Sequence, residues 1–443
     1  MAHEPAVERL RELISIPTIS RPDEAEMDFD EFERFIGAIE RLYPLVHKSL
    51  ERERVAGHSL LFRWPGSGDG PASVLMAHYD VVAATDDGWE HPPFAAVVTG
   101  ESDERVLWGR GTLDDKGALT CVLESVESLL AEGFTPAADV YLSFGHNEET
   151  AGNGAVEAVE LLGSRGIRPR FVLDEGGAVV EGVFPGVAAP IAVIGVSEKG
   201  ITTLRLTVEE RGGHASMPPR DTATARLARA IVRLNSRPHP AALSATNIEM
   251  LKTVGAHAKG VFRFLFTQTW LTRGILKLAF AQLSEETAAM IRTTQAVTML
   301  RAGLAENALA EKAVATVNIR VAAGSRVAEA VEHVRRAVRD ERVTIEVTDP
   351  SEPSPVSPTS GEQWESLRSA IEQAYPGTVV TPYVMLGASD ARRFTAISDH
   401  VYRFSPFEMS KAERDTLHAK NERMRVVTFL RGIEFYRALV RGL

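Results

Sequence analysis

The apolar run YLSFGH leads into two adjacent glutamates, Glu148 and Glu149, with no lysine or arginine beside them. That juncture constrains the fold more than any other feature of the chain. Like charges at the end of a buried strand repel each other and lose solvation, so the pair needs either open water or a cation. The arrangement recurs. SVLMAHYDVV, at 73 to 82, ends its apolar core in His78 and Asp80, and LWGRGTLDDKG carries Asp114 and Asp115 to the apex of a glycine-flanked turn. FVLDEGG ends in Asp174 and Glu175, and LHAKNER supplies His418 far downstream. Each alone has a plain structural reading: a packed histidine, or an aspartate pair that is solvated or caps a helix. Together they place histidine and carboxylates at the ends of successive buried strands, where a layered α/β fold gathers its functional groups.

The chain-wide pattern agrees. A helix reads from about 4 to 14, a buried strand at 73 to 82, a helix after DDKG, a strand in AADVYLSFGH, a helix near 154 to 163 and a strand in RPRFVLDEG. Near 197 the pattern changes to amphipathic strands, at GITTLRLTVEE, 294 to 302, 311 to 321 and 343 to 347, with helices at 222 to 235 and 326 to 338. DPSEPSPVSPTSGEQ, rich in proline, then reads as a linker back to two closing helices. The expectation is an α/β chain with a mixed-sheet α/β/α domain in two parts, 1–197 and 349–443, around an inserted smaller α/β unit, 198–348.

A formal net charge of -11 and the lack of a basic run exclude a nucleic-acid surface. One cysteine, Cys121 in an apolar helix-like run, leaves no disulfide framework and no thiolate metal site. The N-terminal stretch lacks a long apolar segment, so a cytoplasmic location is expected. VFRFLFTQTWLTRGILKLAF, at 261 to 280, has nearly the length to span a membrane, but Arg263, Arg273 and Lys277 interrupt it. A buried helix pair or a subunit contact is expected instead, with no membrane partner.

Histidine and carboxylate without thiolate suit zinc, with cobalt or manganese as substitutes. The number of carboxylates points to two ions sharing a bridge. Adjacent side chains such as Glu148 and Glu149 point apart, so one can bind a cation while the other handles a proton.

The series H-x-D, G-R-G-x-x-D-D-K-G, E-E-x-x-G, D-E-G, G-G-H-A-S and a late histidine resembles the M20 dinuclear zinc peptidases along almost the whole chain. TVNIRV, GASDARRF, YRFSPF and the hydrophobic insertion near 250 to 290 are most similar to the Gly-X carboxypeptidase and N-acyl amino acid hydrolase branch. The resemblance implies that His78 and Glu175 hold one zinc, that Glu149 and His418 hold the other, and that Asp114 bridges them across a cis Asp114–Asp115 peptide. It further implies Asp80 as the partner of His78 and Glu148 as general base. His214 of RGGHASMPP would come from the lid to the oxyanion, and Asn307 and Arg392 would hold the substrate carbonyl and carboxylate. Where the family commonly has N-V-I-P, this chain has Asn307-Ala308-Leu309-Ala310, without the proline. The expected activity is hydrolysis of N-acyl amino acids or short peptides by a homodimer joined through the lid. The alternatives are a silent ligand-binding protein or the same site run in reverse as a synthase. Phe262, Leu265, Phe266, Trp270 and Leu271 are expected either to line an apolar acyl pocket or to pack in a core or dimer contact.

Overall fold

The structure, a computed structural model, describes residues 4–443. Strand Ser73–His78 is buried at every position because neighbours cover both its faces. Leu75 and Ala77 enter one apolar core, and Val74 and Met76 enter another on the opposite face. The strand lies within a ten-stranded mixed sheet and runs parallel to Val140–Gly145 on one side and Phe171–Asp174 on the other. Three carboxyl ends therefore sit side by side, which brings together the 78–80, 146–149 and 175 segments. Beyond them the sheet continues through Val401–Arg403, Ile191–Glu198 and Val379–Met385.

Helices Glu4–Ile14, Phe29–Leu42, Lys116–Ala131, Glu362–Ala374 and Val426–Gly442 feed the larger core, through residues such as Leu10, Phe35, Leu123, Leu367 and Phe435. Gly154–Ser164 and Ala391–Phe394 cover the other face. These are the three layers of the expected α/β/α architecture.

A separate four-stranded antiparallel sheet runs in the order Thr294–Ala302, Lys312–Val321, Gly200–Glu209, Thr344–Ser351. Its two central strands, Lys312–Val321 and Gly200–Glu209, alternate with period two. Leu204, Leu206, Val208, Val317 and Ile319 are buried under helices Ala223–Asn235 and Val327–Val338, while Arg205 faces away.

The segment expected as one inserted unit, 198–348, divides in its packing. Helices Ala245–His257, Gly260–Thr267 and Thr269–Leu283 leave the small sheet and lay Met250, Leu251, Val254, Phe266, Leu276 and Phe280 on the large core. The covered face of the small sheet is already filled by its own two helices, so these bulky side chains are buried elsewhere. The chain consequently passes between the two bodies at 199, at 236–244, at 291–293 and at 352–354. The passages are tied to one another. Lys199 Nζ donates to the carbonyls of Ala289 and Arg292 at 3.0 and 2.9 Å, Ala242 N to Ile291 O at 2.7 Å, and Glu198 N to Ser354 Oγ at 2.8 Å.

The helix pair expected at 261 to 280 forms and is buried on one side, through Phe266, Leu276 and Phe280, whereas Trp270, Leu271, Ile275 and Leu278 face solvent. Among the described residues no helix is long and apolar enough to cross a membrane.

Candidate metal centre

His78 closes its strand, and its ring is engaged on both sides. Nδ1 lies 3.0 Å from Asp80 O and 3.2 Å from Asp80 Oδ1, whereas Nε2 faces Asp114 Oδ1 at 2.9 Å and Glu175 Oε1 at 3.6 Å. Because the Asp80 oxygens only accept, they place the Nδ1 proton on their side and turn Nε2 into the cluster. His418 arrives from the other direction, with Nε2 2.9 Å from Asp114 Oδ2 and 3.0 Å from Glu149 Oε2. Two donor groups result, His78–Asp114–Glu175 and Asp114–Glu149–His418, each with its donor atoms within 4.8 Å of one another. Asp114 serves both, one oxygen to each.

Asp80 does more than the sequence indicated. Its Oδ1 accepts from Glu148 N and its Oδ2 from Glu149 N, both at 3.1 Å. The carboxylate behind His78 thus also fixes the turn that sends the two glutamates apart. Glu149 reaches His418. Glu148 belongs to neither donor group, and among the described residues its carboxylate accepts no hydrogen bond.

The electrostatics favour cations. Burial, reinforced by Asp114, pushes the Glu175 carboxyl well above the usual carboxylate range, and burial with Glu175 does the same to Glu148. Burial opposes a charge on His78, but Glu175 and Asp114 outweigh it and raise its pKa well above the ordinary value. Hydrogen bonds to Asp114 and then Glu149 raise His418 to about 10. Asp114 is held low, against burial, by those same bonds from His418 and His78. Glu149 Oε1 is buried without a hydrogen-bond partner among the described residues. Repelling buried carboxylates, an orphaned oxygen and two imidazoles aimed at one shared carboxylate fit a pair of divalent ions. Cys121 is buried and donates weakly to Phe429 O, apart from the cluster.

Two carboxylates near the cluster escaped the sequence reading. Glu422, fully buried, receives Arg110 Nη1 at 2.5 Å, Leu113 N at 2.8 Å and Gly111 N at 3.1 Å, and so holds the loop that delivers Asp114. The expected cis Asp114–Asp115 peptide lies in that loop, and Asp115 Oδ2 accepts from His78 N at 3.3 Å. Asp390 lies behind the site and is pushed up to about 7 by burial, Asp174 and Asp80. A Cβ on Gly145 would come within 3.1 Å of its Oδ2, which explains a glycine at that strand end.

The remaining predicted residues lie apart from the donor groups. His214 is exposed on a two-stranded ribbon, Gly213–His214 against Ala308–Leu309, and Asn307 O accepts from Ala215 N at 3.0 Å. The structure therefore brings His214 and Asn307 together, but no hydrogen bond among the described residues links them to the cluster. Arg392 is seated where the two bodies join, with Nη2 2.9 Å from Ser351 Oγ and 3.0 Å from Glu352 O, and Nη1 3.8 Å from Glu198. The five residues of the proposed acyl pocket diverge. Phe266 is in the core with Phe262 and Leu265 packed against it, whereas Trp270 and Leu271 face water.

A model of peptidase family M20/M25/M40 matches residues 74–442. The chain is 36% identical to a Dictyostelium discoideum protein named probable carboxypeptidase S-like 2, over 98% of this chain and 84% of that one. It is also 36% identical to the Xenopus tropicalis protein named N-fatty-acyl-amino acid synthase/hydrolase PM20D1, over 98% and 85%. Its fold is similar to the M20 family metallo-carboxypeptidase Sso-CP2 of Sulfolobus solfataricus, with a TM-score of 0.71 at 17% identity over 98% of each chain. It is also similar to Bacillus subtilis YXEP, a dinuclear metal-binding M20 peptidase, with a TM-score of 0.59 at 14% identity over 99% of this chain and 97% of that one.

Proposed function

The chain belongs to peptidase family M20/M25/M40, and on that premise we propose that it is a two-zinc hydrolase of N-acyl amino acids or short peptides with a free α-carboxylate. The observation that carries the reading is Asp114 shared between two donor groups, with Glu148 outside both. His78 and Glu175 would hold one ion and Glu149 and His418 the other; cobalt or manganese would fit the same donors. When bound, the ions polarise the amide carbonyl and make a water acidic enough to ionise near neutral pH.

The protein's own groups do the rest. Glu148, its carboxyl raised by burial and Glu175, accepts a proton from the attacking water and passes it to the departing nitrogen. Asp80 keeps His78 in one tautomer and Glu148 in place. His214 donates a hydrogen bond where negative charge gathers on the carbonyl oxygen, beside Asn307. Arg392, already turned to the joint between the bodies, offers its remaining donors to the substrate carboxylate.

A homodimer supports this arrangement. The ribbon is exposed, and the adjoining edge strand Thr294–Ala302 leaves Met299 and Leu300 at 49% and 63% exposure, a surface through which a second copy would bring its His214 to the site. Condensation is the second reading, favoured by the name of the Xenopus relative, since one transition state serves both directions.

The test is metal content together with amino acid release from N-acetyl amino acids, N-long-chain acyl amino acids and dipeptides. The reading expects about two zinc ions per chain and release from at least one class, lost in Glu148→Gln with the metal retained. A chain that takes up no divalent metal and releases nothing from any class sinks it.

A further inference from the structure

The helical hairpin Gly260–Thr267 and Thr269–Leu283 turns large apolar side chains to water. On its second helix Trp270 is 80% exposed, Leu271 59%, Ile275 63% and Leu278 59%. Their spacing, i, i+1, i+5 and i+8, makes one continuous stripe. Thr269, Thr272, Leu276 and Phe280 form the buried side. Val261 and Phe264 add exposed apolar surface on the first helix. Single exposed apolar residues are ordinary, whereas a contiguous stripe marks a surface that meets an apolar medium.

Charge supplies an independent observation. Residues 250–284 contain no aspartate or glutamate, although the chain as a whole is at -11. They do contain Lys252, Lys259, Arg263, Arg273 and Lys277, all exposed. None of the five forms a salt bridge among the described residues. Arg263 and Arg273 donate instead to the backbone carbonyls of Ala256 and Leu243, at 3.0 and 3.2 Å. On the second helix, Arg273 and Lys277 fall between the apolar stripe and the buried side, the flanking position of cations on a helix that lies in a headgroup layer.

We propose that this hairpin docks the protein on an anionic phospholipid surface, with the Trp270–Leu278 stripe in the acyl boundary and the flanking cations on the headgroup phosphates. Pairing two such faces from two copies would set the unpaired Arg273 and Lys277 of one against those of the other, whereas an anionic surface neutralises them. The three cations that argued against a membrane partner forbid crossing the bilayer and favour lying on it. The hairpin is rigidly mounted, with Phe266, Leu276 and Phe280 in the large core and Lys259 N donating to Gly186 O at 3.0 Å. The inference is independent of the substrate.

Sedimentation of the full chain with phosphatidylcholine vesicles, with and without one-third phosphatidylglycerol, tests it. The expected result is binding to the anionic vesicles, reversed by salt. Ile275→Glu/Leu278→Glu should weaken it by at least about tenfold. Arg273→Gln/Lys277→Gln should weaken it by about fivefold per cation removed. Both variants change exposed positions, so their thermal unfolding should match the parent's. No sedimentation, equal sedimentation with both vesicle types, or parent-like binding by both variants overturns the proposal. So does a dimer that Ile275→Glu/Leu278→Glu converts to monomer by light scattering, which would assign the face to a second copy.

Discussion

Two histidines assigned to one reaction sit in opposite settings. His78 is 2% exposed; its Nδ1 faces Asp80, two residues on, and its Nε2 faces Asp114 and Glu175 from distant parts of the chain. His214 is exposed on a ribbon two residues long, and among the described residues its Nδ1 meets only Ser216 of its own turn, at 2.8 Å from Oγ. The first is set by folding itself. On the proposed reading, the second reaches the reacting atoms only when another surface approaches, whether a substrate, the opposing body or a second copy. Cation binding should therefore respond to changes around the strand ends and be indifferent to the ribbon, while turnover should depend on both.

The largest effect sharpens the first half of that contrast. Glu148→Gln should lower kcat by about 10²- to 10⁴-fold with metal content per chain unchanged; loss of metal along with activity would make Glu148 a ligand. His214→Ala should cost about 10²- to 10³-fold in kcat, again without change in metal content. Mixing these two inactive variants distinguishes the settings further. If His214 acts across copies, random reassortment should restore about a quarter of parental activity; recovery of none places it within its own subunit. Asp80→Asn should weaken metal affinity by about 10- to 100-fold, measured by chelator competition, because Asp80 fixes both His78 and the Glu148–Glu149 turn.

The smallest predicted effect blurs the contrast, since one buried histidine of lowered pKa lies in the large body and another in the passage beside the small sheet. Burial lowers His146, beside the metal centre, and His239, beside the small sheet, to about 4 each. The unfolded chain binds these protons near pH 6.5 and the folded one does not, so stability is full above about 6.5 and falls as pH drops towards 4. Each site contributes at most about 3 kcal/mol to that fall. Thermal unfolding from pH 7.5 to 5 should show it, and His239→Gln should flatten the slope; an unchanged slope would mean that His239 does not titrate as its burial requires.

What the sequence disclosed followed from local pattern. Helix Glu4–Ile14 and strand Thr294–Ala302 fall where periodicity placed them, and the strand-end carboxylates stood out because nothing nearby neutralised them. Partners distant in sequence did not stand out. Glu422 sits in a short polar stretch like many others, and its meaning comes only from Arg110 and Leu113, about three hundred positions away in the chain. Strand Glu51–Val55, with four charged residues exposed at the sheet edge, carries no apolar alternation to mark it. The hairpin at 261 to 280 illustrates a different limit: hydrophobicity predicts that a segment seeks an apolar neighbour, and periodicity does not say whether the chain itself supplies one.

The four passages between the two bodies have a consequence for how the molecule can be divided. Neither body is contained in one uninterrupted stretch: the small sheet takes its strands from both sides of the hairpin helices, and the large one from both sides of the small. Trimming either terminus isolates neither body. A single protease cut in the waist leaves them covalently joined through the remaining passages, so separating the two bodies demands several cuts in one cross-section, where Lys199, Ile291 and Ser354 already bind the strands to each other.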